Sequence, residues 1–503
     1  VTRLGFLLDS DSCIGCHACT VACKSEHDVA LGVNRTWVKY IETGTFPNVS
    51  RHFSVMRCNH CDDAPCISIC PTNALFRADN GVVDFDDDNC IGCKGCMNAC
   101  PYDAIYINPE TNTANKCNFC NHRIADGLEP SCVTVCPTQA IKVADLDDPL
   151  NQATKIIARE DVAVRSPEQG TNPKVYYRGA SQASLNPLRT AIANDGMIWA
   201  DTTPNHPTVP SDTSGVVART TYTTSHQMTW TTKVSAYLVT KAISAGVMAM
   251  AGLLVLLGHG DARAAVSVTP PLIAGFFLAL TGVLLIADLK QPGRFYYLIT
   301  RGSWDSWLVK GAYVLAAFAV VTALWCLAGI TATPAALNVL LVPVVLCAAA
   351  TAGYTAFLFG QCEGRDLWQT PLLLPTLLAQ AVTAGGATYA LLDLFIAVPA
   401  ADAYRWAFLG GVLASAALIA IEATATGTPH VEAAVHQMIK GAYRQRFWFG
   451  VLGGLVAPAC ILVLELVFDL PTAVLGVAGA AALAGMWSYE DSFVRAGQAV
   501  PLS

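Results

Sequence analysis

Charge is scarce in this 503-residue chain: 14% of residues are Asp, Glu, Lys or Arg, against 53% hydrophobic. That balance excludes a protein dissolved in water along its whole length. No basic start, long apolar run or twin arginine precedes Cys13, so no export signal is expected there. Without one, the secreted disulfide framework that so many cysteines would otherwise suggest loses its setting. Basic residues are short in the same region. Residues 1–150 hold 19 Asp/Glu and 11 Lys/Arg, a local balance of −8, which speaks against nucleic acid as a partner. Histidine is missing where a b-type haem would need it: all ten, at 17, 27, 52, 60, 122, 206, 226, 259, 430 and 436, lie outside the depth of any apolar stretch. No haem is expected.

What is present divides the chain. Sixteen of the 20 cysteines lie between Cys13 and Cys136, in a polar, turn-rich segment; Cys326, Cys347, Cys362 and Cys460 are scattered singly and read as packing residues. Residues 1–150 are expected to form one α+β ferredoxin-like iron–sulfur domain, and residues 151–232, rich in Thr, Ser, Pro and Asn as in the stretch 202–207, an extended connector. Residues 233–503 read as an all-α polytopic membrane bundle of about eight helices. The apolar spans are 234–257, 271–288, 307–330, 337–360, 371–398, 406–426, 447–469 and 471–487, the last being short and rich in Gly and Ala. An even number of crossings puts both termini on one side. Ten basic residues (Lys233, Lys290, Arg294, Arg301, Lys310, Arg365, Lys440, Arg444, Arg446 and Arg495) then fall on the soluble-domain face against Arg263 and Arg405 on the other. This places the cysteine-rich domain in the cytoplasm of a cell whose inner membrane holds the bundle.

The cysteines form four groups: Cys13, Cys16, Cys19, Cys23; Cys58, Cys61, Cys66, Cys70; Cys90, Cys93, Cys96, Cys100; and Cys117, Cys120, Cys132, Cys136, the last three groups each ending in Cys-Pro. In such runs three closely spaced thiolates wrap one cubane, and the fourth ligates the other cluster of a pair. The second and third groups are neighbours and exchange their fourth ligands, giving Cys58, Cys61, Cys66 with Cys100, and Cys90, Cys93, Cys96 with Cys70. The outer groups then pair as Cys13, Cys16, Cys19 with Cys136, and Cys117, Cys120, Cys132 with Cys23. Four [4Fe–4S] clusters are the expectation. Zinc knuckles rarely repeat this spacing.

On these groups, on Asn115-Lys116-Cys117-Asn118-Phe119-Cys120 and on 170–177, residues 1 to about 180 resemble the four-cluster subunit of membrane molybdopterin oxidoreductases such as dimethyl sulfoxide and polysulfide reductases. The resemblance implies a wire from the cluster of Cys13 to that of Cys23, then to that of Cys58, and last to that of Cys70 near the membrane. It also implies a catalytic partner carrying a molybdenum or tungsten pterin. Residues 288–295 and 303–307 resemble the haem-free polysulfide-reductase anchor of the NrfD type, across roughly 233–503.

Ionisable groups inside apolar spans are costly and point to function. Lys241, Asp288, Trp304, Tyr354 and Glu363 all lie toward the soluble-domain face and are expected to bind a quinone, menaquinone or ubiquinone, near the last cluster. The bland alternative is a structural Lys241–Asp288 ion pair with tryptophans as interface anchors. Glu422, Asp393 and Glu465 are candidate proton-relay groups or helix caps. The leading reading is an electron-transfer and membrane-anchor subunit working between a pterin enzyme and quinone. The alternative is a subunit of a molybdenum-free, quinone-linked energy-converting complex resembling alternative complex III.

Overall fold

The computed structural model describes residues 2–192, 198–199, 218–425, 427–468 and 470–503. The stretch 202–207 of the expected connector lies outside them.

The cysteine-rich domain is organised by two sheets. In the first, the wholly buried strand Leu4–Asp9 pairs antiparallel with Ile141–Asp145 and parallel with Val175–Arg178, which carries Val162–Ala163 on its outer edge. In the second, the hairpin Thr36–Thr45/Asn48–Arg57 is extended by Ala218–Thr223. Two small hairpins, Leu75–Arg77/Val83–Phe85 and Ile105–Ile107/Ala114–Lys116, each begin a few residues after a Cys-Pro. The sequence places a β-like stretch at both of these sites.

The segment 151–232 is built into this domain over much of its described length. Gln152–Arg159 is a helix capped by Asn151, and Val175–Arg178 alternates its side chains so that Val175 and Tyr177 enter the core beside Phe6. A low density of apolar residues hides the strand, because only two of its four side chains face inward.

Among the described residues the membrane half has eight long helices: α1 Thr232–Leu256, α2 Thr269–Asp288, α3 Trp307–Ile330, α4 Pro334–Gly360, α5 Leu373–Leu392, α6 Ala401–Thr424, α7 Arg444–Phe468 and α8 Thr472–Ala499. Seven are long and apolar enough to cross a membrane by composition alone. The eighth, α5, is less apolar because it is surrounded by protein: its Thr376, Gln380 and Thr383 are all buried. Lipid exposure separates the rest. The apolar window of α1 is 89% buried and that of α2 only 22%, so α1 is the centre of the bundle and α2 its rim.

Glycines set the closest crossings. A Cβ on Gly246 of α1 would collide with the Ala381 carbonyl of α5, and one on Gly485 of α8 with Gly454 Cα of α7. Small residues at these points let the backbones touch, the usual route to packing where lipid gives no hydrophobic drive.

Two spans depart most from their expected ends. α8 continues past 487 to Ala499, because the polar run that looked like its end is buried and partnered: Asp491 accepts from Ser235 at 3.0 Å and from Arg495 at 2.9 Å. α5 stops at Leu392 rather than 398. There Asp393 accepts from the Val398 amide at 3.0 Å and from the Tyr404 hydroxyl at 2.9 Å, closing a turn. The start of α1 and the end of α8 lie together, with Arg495 Nη2 donating to Thr232 Oγ1 at 2.9 Å, as an even number of crossings requires.

The two halves are bound tightly. The loop after α2 lies along the third cysteine group: Lys290 and Gln291 amides donate to the Gly92 and Ile91 carbonyls at 3.1 and 3.2 Å, and Arg294 reaches the carbonyls of Asp87 and Cys90. Farther along, Ser306 Oγ donates to the Ile69 carbonyl at 2.7 Å. The α4–α5 loop closes on the other side, with Gly364 so near that an added Cβ would stand 2.7 Å from the Cys100 carbonyl.

Candidate functional site

All sixteen cysteines of the first domain are free. The first Cys-x-x-Cys pair of each group winds the same way: the residue before its second cysteine (Gly15, His60, Gly92 or Phe119) has positive φ. This left-handed step turns backbone N–H groups inward. The His60 amide donates to Cys58 Sγ at 3.5 Å, those of Gly92 and Ala114 to Cys90 Sγ at 3.4 and 3.3 Å, and that of Ala140 to Cys136 Sγ at 3.3 Å. Amide bonds of this kind stabilise thiolate charge and tune a cluster held by it.

The sets read from spacing come together in space. Cys13, Cys16, Cys19 and Cys136 line one small cavity, and Cys70, Cys90, Cys93 and Cys96 another. Cys23 feels the charges of Cys117, Cys120 and Cys132, and Cys66 those of Cys58, Cys61 and Cys100. Between sets, electrostatic coupling joins Cys19 to Cys132, Cys117 to Cys58, and Cys96 to Cys66. Among the described residues no three ligand side chains converge on a single point; a cubane does not need that, since each thiolate caps a different iron.

Buried cations test whether an anionic cluster fits. Arg57 is fully buried, with Nη1 on Cys132 Sγ at 3.3 Å and its guanidinium 4.3 Å from the Phe6 ring centroid, while Nε and Nη2 have no partner among the described residues. An isolated buried charge of this kind is untenable in apolar surroundings. Beside a cluster with four thiolates it is balanced, so the residues fit the group.

At the membrane end of the cysteine line lies a cavity of about 230 Å³, between α1, α2, α3, α4 and the third cysteine group. Cys93, Trp230, Tyr237, Asp288 and Tyr354 line it among aliphatic side chains. Lys94 Nζ pairs with Asp288 Oδ2 at 2.7 Å, both side chains mostly buried. Burial pushes the Lys94 ammonium toward release of its proton and the Asp288 charge opposes this.

The five membrane residues singled out by sequence separate here. Asp288 and Tyr354 line the cavity. Lys241 stands behind it, 4.9 Å from the Tyr354 ring centroid, donating to Thr355 Oγ1 at 2.6 Å and to the Ala352 carbonyl at 2.9 Å. Trp304 is 63% exposed and stacks on Tyr313, and Glu363 is exposed; neither lines the cavity. Lys241 and Asp288 are not the structural pair weighed as the alternative, since Asp288 is taken by Lys94. Lys94 and Trp230 were not found from sequence. Lys94 stands between the cysteines of a Cys-x-x-Cys spacing, and nothing in such a spacing tells which way its side chain points.

The sequence pattern described as "Polysulphide reductase, NrfD" matches residues 220–501, more than half of the chain. The chain belongs to the NrfD family. Ahead of the NrfD region, "4Fe-4S dicluster domain" matches residues 49–146 and "4Fe-4S binding domain" residues 10–30. Among similar proteins, "Arsenate respiratory reductase iron-sulfur subunit ArrB" of a Shewanella species is 35% identical over 225 residues, 35% of this chain and 95% of that protein. "Thiosulfate reductase electron transfer subunit PhsB" of Salmonella typhi is 48% identical over 145 residues, 28% of this chain and 76% of its own. "Protein NrfC" of Escherichia coli is 41% identical over 177 residues, 35% of this chain and 79% of its own. This NrfD-family chain is thus an iron–sulfur electron-transfer subunit that carries its own multi-pass membrane anchor.

Proposed function

We propose that the protein relays electrons through four [4Fe–4S] clusters between a catalytic subunit with a molybdenum or tungsten pterin and a membrane quinone. Cys13/16/19/136, Cys23/117/120/132, Cys58/61/66/100 and Cys70/90/93/96 hold the clusters, in that order along the wire. The catalytic partner meets the first set, where Cys16 is exposed beside Ile14 and Val21, 57% and 64% exposed. No haem is needed, because the quinone cavity begins at a ligand of the last cluster.

The cavity that holds Cys93 together with Asp288 and Tyr354 carries this reading. It is apolar, reaches between lipid-facing helices, and brings an acid and a phenol to within one wall of a cluster ligand. A quinone ring needs such walls, a hydrogen-bond donor and a proton-exchanging group. Lys94 holds Asp288 in place, and Lys241 presses on the face of Tyr354. The soluble domain lies in the cytoplasm under the inner membrane, in line with the basic loops of that face.

Asp288→Asn keeps the size of the side chain and removes its proton. Quinol turnover is expected to fall by about 10²-fold, the usual yield of one positioned acid–base group, while dithionite still reduces the clusters. Wild-type turnover in this variant would place the quinone elsewhere.

A further inference from the structure

One buried side chain touches both the cavity and the cysteine loop that ends at it. Trp230 lies just before α1, its ring lines the cavity, and its Nε1 donates to the Cys93 carbonyl at 3.2 Å. A buried indole needs a partner for its N–H; this one is the backbone of a cluster ligand. The residue is fixed from two sides. Gln498 of α8 grips the backbone: its Oε1 accepts from the Trp230 amide at 2.9 Å and from the Thr229 amide and hydroxyl at 3.1 and 2.6 Å, and its Nε2 donates to the Trp230 carbonyl at 2.7 Å. From the third cysteine group, Asn98 Nδ2 donates to Thr229 Oγ1 at 2.9 Å. The ring stacks on Phe359 and Trp368, their centroids 5.6 and 5.5 Å away. Trp368 supplies the contrast. It is equally buried and belongs to the same stack, 4.8 Å from Phe359, but its Nε1 has no hydrogen-bond partner among the described residues. Two indoles in contact thus differ in one hydrogen bond, the one that reaches a cysteine.

We propose that Trp230 is a positioning residue for the cluster of Cys70, Cys90, Cys93 and Cys96 and for its exchange with the cavity, and that Gln498 is the clamp that holds it. The second of these duties rests on the quinone reading of the cavity; the first does not. A carbonyl oxygen beside a cluster carries negative charge that opposes an added electron. An N–H bonded to that oxygen offsets the charge, so the donor eases reduction of the cluster whose ligand it touches. Because the ring that carries the donor is also a wall of the cavity, the ligand loop and the wall move together.

The test uses the full-length protein with its clusters assembled, poised at a series of potentials and read by electron paramagnetic resonance, with no quinone present. Trp230→Phe keeps an aromatic wall and removes the donor. One reduction step is expected to move to lower potential, its equilibrium constant falling about threefold, or roughly 30 mV at about 59 mV per tenfold, while the steps of the other clusters stay in place. Trp368→Phe removes the unbonded N–H of the same stack and should move no step. Gln498→Met, which releases the backbone of Trp230, should move the same step in the same direction as Trp230→Phe. Unmoved steps in Trp230→Phe, or an equal shift in Trp368→Phe, overturn the proposal; an unmoved step in Gln498→Met overturns the clamp.

The second duty is read by mixing oxidised protein with decylubiquinol and following the bleaching of the clusters, one quinol giving two electrons to two clusters and two protons to the buffer. Trp230→Phe should slow the bleaching about threefold, in step with the equilibrium constant, at an unchanged half-saturating quinol concentration. Gln498→Met should also raise that concentration, because the wall is then free to shift. A wild-type rate in Trp230→Phe removes the second duty. Gly282→Phe separates that failure from failure of the cavity reading: Gly282 lines the cavity, with nothing within 4 Å of an added Cβ, so a Phe there blocks quinol. Full-rate bleaching in Gly282→Phe would sink the cavity, while the potentials, read without quinone, still decide the role of Trp230 at the cluster.

Discussion

Two buried ion pairs at opposite ends of the bundle use the same chemistry differently. Lys94–Asp288, at 2.7 Å, joins a cysteine loop to the end of α2 and forms one wall of a cavity. Arg405–Glu465, at 2.6 Å, joins α6 to α7, and Glu465 is only 4% exposed. Nothing in residue type or burial distinguishes them. What differs is the neighbourhood: the first pair stands at a cavity that Cys93 also lines, the second pair is shared with the exposed Asp402 at the start of α6. A membrane-embedded charge is thus evidence of function only once its surroundings are known.

The sharpest way to break this comparison is to remove one partner from each pair. Lys94→Met leaves Asp288 buried and unmatched, which costs about 3–5 kcal/mol if the charge persists. Asp288 then holds its proton and cannot exchange it, so quinol turnover should fall by about 10²-fold in protein whose visible spectrum still shows assembled clusters. Arg405→Met strands Glu465 at a similar cost of about 3 kcal/mol or more. Its effect should appear in thermal unfolding of the detergent-solubilised protein, with turnover per assembled molecule unchanged. If Arg405→Met slows turnover as much as Lys94→Met, the far pair is not merely a lock.

A smaller effect sharpens the contrast with the soluble domain, where buried charge can titrate without a partner in the bundle. Burial, reinforced by Arg165, pushes the Lys39 ammonium down to about 7. An unfolded lysine titrates near 10.4. Below pH 7 both forms are charged and the penalty for burying the charge is complete; between pH 7 and about 10 the unfolded chain holds more of the proton, so stability rises with pH. Lys39→Met should flatten that slope in denaturant titrations of the holoprotein. A slope equal to that of the wild type would assign the pH dependence to another group.

The iron–sulfur character of the first domain was legible in sequence because cluster ligation fixes both residue type and spacing. The helices of the bundle were legible because lipid demands long apolar runs. What could not be read is where these two codes meet. Lys94 looks like a spacer. The polar stretch Ser488–Ser492 looks like a helix end and is instead the inside of α8, where Arg446 and Arg495 meet Asp491. The strand Val175–Arg178 hides in a polar segment because its partner, Leu4–Asp9, is far away in sequence. Even the basic loops have a second cause besides topology: Arg294, Arg301 and Arg365 bond or pack against the cysteine domain and the end of α8, so part of the charge bias reflects docking.

The strand Ala218–Thr223 ends eight residues before α1 begins at Thr232. Fully stretched, such a leash spans at most about 28 Å, and here it is pinned: Gln227 bonds both the amide and the carbonyl of Ile107, and Gln498 of α8 accepts from Thr229 and Trp230. The cysteine-rich domain and the membrane bundle are therefore joined parts of one chain rather than partners that must find each other. Contact between the two halves is a first-order matter, with no encounter step between them to be diluted, salted out or competed for by another carrier.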